Sequence, residues 1–196
     1  RFQSDLPPEQ IPCFEDTGSP SVAALAYATA ARAAVGAGDL AVAQASGVSG
    51  ATSDNVVAIT RVHDGENCHT HVGISNSLAN PQRRISHLNG MTRIRQYSIS
   101  YVAIAGIISA VMPPTMIHGS IMPNSIGKGT QGHAERILID HSPVRGRMKA
   151  LGISQHPCGN RGEDWECSSQ LRDYQRIYPL TVAYWDDSSG GALIFQ

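Results

Sequence analysis

The chain has 196 residues, 41% hydrophobic and 16% charged, enough for one domain with a full core and too apolar for a disordered tail or a coiled coil. Its longest apolar run, Tyr101 to Met112 with Ser109 inside it, falls short of the roughly 20 residues that a membrane-spanning helix needs. The formal net charge of -1 hides an asymmetry: residues 1 to 54 carry six acids against Arg1 and Arg32, whereas from residue 55 on thirteen bases face ten acids.

In chain order, Pro7, Pro8, Pro12 and Pro20 make residues 1 to 20 an extended lead-in, and no targeting signal opens it. With no initiating methionine before Arg1, the chain reads as a piece processed or excised from something longer. From Ser21 as N-cap an alanine-rich helix is expected until Gly36 and Gly38 stop it, and Ser46 to Asn55 reads as a linker. Val56 to Val62 and Cys68 to Ile74 read as the strands of a hairpin turned at Asp64-Gly65.

Residues 77 to 132 show no sustained period, and Tyr97 to Met112 fits either a strand pair or a buried helix. Beyond Gly132 the pattern predicts a helix from His133 to Met148, a strand from Ala150 to Ser154 and a helix from Trp165 to Ile177. Strands over Leu180 to Trp185 and Ala192 to Phe195 make a closing hairpin. Residues 1–54 and 55–196 thus divide into a lead-in with its helix and a catalytic part, forming one compact unit.

The chemistry lies in His133-Ala134-Glu135 at the start of one predicted helix, and in Pro157-Cys158 with Cys167 at the start of the next. A histidine and two thiolates are sound Zn2+ ligands, and they leave the fourth tetrahedral position for water, as a catalytic site requires. The positive ends of both helices favour thiolate over thiol. Glu135, two residues past His133, is badly placed to bind the same ion and well placed to carry protons to and from that water.

On these residues the chain resembles the zinc-dependent nucleobase deaminases of the cytidine deaminase superfamily, whose signature is H-x-E followed by P-C-x-x-C. The likeness covers residues 55 to 196 in element order: hairpin, H-A-E helix, strand, cysteine helix, closing strands. It departs in two places: eight residues rather than two separate Cys158 from Cys167, and more than fifty lie between the hairpin and His133.

The resemblance implies an α/β deaminase fold, a mixed sheet of about five strands with both zinc helices on one side and the alanine-rich helix on the other or at the edge. The short final hairpin points to the branch with an antiparallel closing pair, which includes many bacterial polymorphic-toxin domains. It therefore also implies a secreted or delivered toxin domain acting in the target-cell cytoplasm, with an immunity protein as partner. The implied reaction is hydrolytic loss of an exocyclic amine, cytosine to uracil in DNA or RNA, with His133, Cys158 and Cys167 on zinc and Glu135 as proton carrier.

The residues that would hold substrate stay open between alternatives. Asn76, after the second strand, matches the position of a base- or sugar-binding asparagine, and Asn124 competes as the nearer one to His133. Arg83 to Arg95, with four arginines including Arg93 and Arg95, His87 and no acid, fits a phosphate grip or a plain solvated face. Cys13 and Cys68 are expected to fill core or surface positions, since four cysteines are too few for a disulfide scaffold. Cys68, His69 and His71 form a rival ligand cluster on one strand. A deaminase of free nucleosides and a zinc-stabilised binding module, with His156 or His141 as fourth ligand, remain the competing readings.

Overall fold

A computed structural model describes residues 13–46, 56–74, 116–119, 133–141, 145–159 and 161–196. The described residues begin with α1 (Phe14–Thr17) and α2 (Pro20–Ser46), followed by the antiparallel strands β1 (Val57–Asp64) and β2 (Asn67–Ile74). Then come β3 (Met116–Gly119), α3 (Ala134–His141), β4 (Ala150–Ile153), α4 (Cys167–Ile177), β5 (Thr181–Asp186) and β6 (Gly191–Ile194). The strands form one mixed sheet in the order β3-β2-β1-β4-β5-β6. β3 runs parallel to β2 and β4 parallel to β5, and the remaining neighbours are antiparallel.

Alternation along the strands sends successive side chains to opposite faces, and each face has its own core. Val57 and Ile59 of β1, Ala150 of β4 and Ala183 of β5 pack against α2 through Ala23, Ala24, Tyr27, Ala28 and Ala31. Their neighbours Ala58, Val62, Leu151, Ile153 and Val182 pack on the other face against Ala134 and Leu138 of α3 and Leu171 and Tyr174 of α4. The H-A-E helix and the cysteine helix therefore lie on one side of the sheet, with the alanine-rich helix on the other. Alanine suits α2 because it comes so close: a Cβ on Gly152 of β4 would overlap the backbone of Tyr27 and Ala28.

Several expected boundaries are corrected. α2 continues through Gly36 and Gly38 to Ser46, since each glycine costs a helix only about 1 kcal/mol against alanine and the surrounding alanines tolerate that. Its cap is Ser19, whose Oγ accepts the Val22 N–H at 3.3 Å, with Pro20 at the first position, where no amide is needed. α3 ends at His141 rather than Met148; the sequence places Pro143 shortly beyond, and Gly146 sits in a turn at φ 84°. The described strands number six rather than about five. The additional one, β3, lies in the segment without a period and is too short, at four residues, to show one.

Cys13 and Cys68 are joined by a disulfide, with Cα atoms 5.9 Å apart, which corrects their expected role as unlinked core or surface residues. The bond joins positions 55 residues apart in sequence, and a loop of that length limits the unfolded chain by about 4 kcal/mol in the chain-entropy account. It ties the residue before α1 to the start of β2. No helix among the described residues is long and apolar enough to cross a membrane.

The face bearing α3 depends on one missing side chain. A Cβ on Gly73 of β2 would overlap the carbonyl oxygen of Ala134 and stand 3.2 Å from Leu138 Cγ, so only glycine lets the first turn of α3 seat on the sheet. Gly73→Ala is expected to lower stability by about 1 to 3 kcal/mol through overpacking and to shift His133 and Glu135 together. Denaturant melts and zinc titration of the variant check both effects.

Candidate metal and proton-transfer site

His133 directly precedes α3, Glu135 is the second residue of that helix, Cys158 lies in the loop after β4, and Cys167 is the first residue of α4. The starts of α3 and α4 meet, which brings His133 and Cys167 side by side. His133 Nδ1 lies 3.2 Å from Cys167 Sγ and 3.4 Å from Cys158 Sγ, and the three ligand atoms all fall within 4.8 Å of one another. Neither cysteine is in a disulfide; Cys167 is buried and Cys158 half-buried.

The eight residues between the cysteines close into a loop held from inside. Gly159 takes φ 103° and Gly162 φ 77°, a region that side-chain-bearing residues rarely enter. The buried Glu166 carboxylate then accepts the backbone N–H groups of Arg161 at 3.2 Å and Gly162 at 3.1 Å. Ser168, also buried, donates its hydroxyl to the carbonyls of Cys158 at 2.7 Å and Gly159 at 2.6 Å, and its N–H to the Cys158 carbonyl at 3.0 Å. The long spacing thus returns Cys167 to Cys158 by specific bonds on both sides of Cys167.

Sequence reasoning misses Glu166, Ser168, Gly159 and Gly73. The available signal is the pair of glycines in a short loop that ends in an acid and a hydroxyl flanking the second cysteine. A Cβ at Gly159 would overlap the Glu166 side chain. Gly159→Ala is accordingly expected to open the loop and weaken metal binding by about 10- to 100-fold, the range found when groups supporting a ligand are removed. Competition against a chelating dye measures this.

The sulfurs share their protons unequally. The hydrogen bond from Cys167 holds the Cys158 thiol down to about 4, with His133 adding to the effect, while the same interaction and burial push Cys167 well up. The hydrogen bond with Cys158 raises the His133 imidazole against the effect of its burial. Two sulfurs and an imidazole nitrogen within hydrogen-bonding distance make a ligand set that a cation would complete. Tetrahedral zinc with bonds near 2.3 Å to sulfur and 2.0–2.1 Å to nitrogen separates those ligand atoms by about 3.5 Å, close to the spacings found here.

Glu135 stands beside this group at 2% exposure. Burial raises its carboxyl above the usual range, opposed chiefly by the hydrogen bond with Cys167. Its Oε2 has no hydrogen-bond partner among the described residues, and leaving a buried acceptor unpaired costs about 1 to 3 kcal/mol. That unpartnered oxygen stands beside a group of ligand atoms that could hold a metal ion.

His156 is not a fourth member of the group. Its ring meets Tyr184 edge-on at 4.6 Å and Phe195 at 5.7 Å, and Nδ1 lies 2.7 Å from the Pro157 carbonyl oxygen. The rival cluster on β2 loses Cys68 to the disulfide, and His71 is buried opposite Thr60. Asn76, Asn124, His87 and the arginines from Arg83 to Arg95, including Arg93 and Arg95, lie outside the described residues, as do the side chain of His141 and the segment from Tyr97 to Met112. No protein-family model, curated protein or solved structure matches the chain.

Proposed function

We propose that the chain is a zinc-dependent hydrolytic deaminase with a cytidine deaminase-like fold, converting cytosine to uracil in a nucleic acid. The observation that carries this reading is the meeting of His133, Cys158 and Cys167 beside the buried, half-unpartnered carboxylate of Glu135. Three protein ligands with an acid next to them suit a catalytic centre better than a structural one, where four protein ligands close the ion in. The element order supports it as well: apart from β3, inserted after the first hairpin, the hairpin, H-A-E helix, strand, cysteine helix and antiparallel closing hairpin follow the deaminase pattern.

Zinc held by the three ligands would supply the Lewis acidity that brings the pKa of water toward 7. Glu135 takes the proton of the water that adds to the amidine carbon of the base. It delivers that proton to the ring nitrogen, then takes the remaining proton of the added hydroxyl and passes it to the amine, so that the C–N bond breaks, ammonia leaves and the carbonyl forms. Because the Glu135 carboxylate is buried, bulk water does not compete for the proton during these transfers. The Gly159–Glu166 closure and the Ser168 bonds act by positioning Cys158 and Cys167.

The same resemblance makes the domain a toxin or effector delivered into a target cell, with an immunity protein as its natural partner. Nucleic acid is the favoured substrate because Arg83 to Arg95 combines four arginines with no acid, suited to neutralising phosphates while a base leaves the stack. Sequencing DNA and RNA from cells expressing the domain tests the reaction: C-to-T changes in either polymer are expected, and their absence together with turnover of free cytidine would move the substrate to nucleosides. Arg93→Ala/Arg95→Ala should flatten the dependence of log affinity for an oligonucleotide on log salt by about 0.7 to 0.9 for each phosphate that is no longer neutralised. Parallel salt lines of equal affinity would make the segment a solvated face.

A further inference from the structure

The other two cysteines meet a second set of metal-ligating groups at the far end of the β1–β2 hairpin. Cys13 Sγ, a carboxylate oxygen of Asp16 and a ring nitrogen of His63 lie within 4.8 Å of one another. Cys68, disulfide-bonded to Cys13, is the direct cross-strand partner of His63. His63 Nε2 lies 3.1 Å from Asp16 Oδ1, and the His63 backbone N–H donates to both oxygens of Glu15 at 3.2 Å, which holds α1 against the end of β1. Cys13 Sγ, an imidazole and a carboxylate thus converge, and the bond to Cys13 brings the Cys68 sulfur to them from β2.

We propose that this corner is a redox-gated metal site, in which Cys13, Cys68, His63 and Asp16 take one zinc-class divalent cation once the disulfide is reduced. With the sulfur–sulfur bond intact neither sulfur is a thiolate, and the imidazole and carboxylate alone bind weakly. A phosphine reductant breaks the bond by a two-electron transfer: phosphorus becomes a phosphine oxide with oxygen from water, and that water's two protons go to the two sulfurs. Metal binding then displaces both protons. Two thiolates on tetrahedral zinc stand about 3.8 Å apart, a separation that side-chain rotation provides between Cα atoms 5.9 Å apart. The N-terminal segment is thereby fastened to the hairpin in reducing as well as oxidising surroundings, by a metal in one and a covalent bond in the other.

The test uses the full chain carrying Cys158→Ser and Cys167→Ser, which removes the thiolates of the other site and makes the result independent of the proposed catalytic function. Cobalt(II) is the probe, because thiolate ligation gives it an intense charge-transfer band. One cobalt per chain with that band is expected after phosphine treatment and no band before it. His63→Ala and Asp16→Ala should each weaken the reduced site by more than about tenfold, since even outer-shell partners are worth that much. If the double-serine chain does not fold, the same count is made on the unsubstituted chain against Cys13→Ser, with one additional metal on reduction expected only in the former. Absence of cobalt binding after reduction, or equal affinity in His63→Ala, overturns the proposal.

Discussion

Glu135→Gln is expected to keep the metal and the fold while deamination falls by at least about 10³-fold. The size of the effect follows from the residue's position. The carboxylate has one oxygen without a partner and lies beside, rather than within, the group of three ligand atoms. The amide matches its shape, so packing against its neighbours is preserved. It cannot accept and return a proton, and general acid–base transfer alone is worth about 10² to 10⁴ in rate. Stability of the chelator-treated chain should not fall, because the substitution replaces an acid whose charge burial already disfavours with a neutral group. Metal analysis, a thermal melt and product formation on a cytosine-containing oligonucleotide measure the three quantities separately. Loss of zinc in the variant would make Glu135 a ligand, and turnover near that of the unsubstituted chain would remove its catalytic role.

Cys167→Ser should abolish stoichiometric zinc binding and with it the zinc-dependent part of the melting temperature. A serine hydroxyl does not ionise near neutrality, and the thiol it replaces is fully buried at the first residue of α4, 3.2 Å from His133 Nδ1. A ligand that binds only the folded chain stabilises it by about 2.7 kcal/mol at 100 times its Kd. At about 2 to 4 °C per kcal/mol for a chain of this size, zinc should raise the midpoint of the unsubstituted protein by about 5 to 10 °C and leave that of the variant unmoved. Unchanged zinc content and an unchanged zinc-dependent shift would place the ion away from Cys167. The same titration on Cys13→Ser under non-reducing conditions should retain the full shift, since Cys13 belongs to the other end of the hairpin.

The parts legible from residue order were those with a local physical cause. Period-2 alternation and turn residues marked both hairpins, and the α/β class with a mixed sheet was what the resemblance implied. The candidate ligands stood out because histidine and cysteine at the starts of two helices have few other reasons to sit there. Boundaries were less legible: Gly36 and Gly38 looked like stops, but each costs a helix only about 1 kcal/mol, and α2 runs on to Ser46.

What tertiary structure decided were relations between distant residues. An eight-residue gap is silent about whether two sulfurs meet; the buried carboxylate of Glu166 and the hydroxyl of Ser168, bonded back to the loop, bring them together. Gly73 and Gly152 look like weak points in strands, yet they are the places where α3 and α2 touch the sheet backbone. The Cys13–Cys68 bond spans two elements far apart in sequence, and no composition rule pairs them. Pairing, close approach and the shared protons of His133, Cys158 and Cys167 depend on distances of a few ångströms between segments, which exist only once the sheet has assembled.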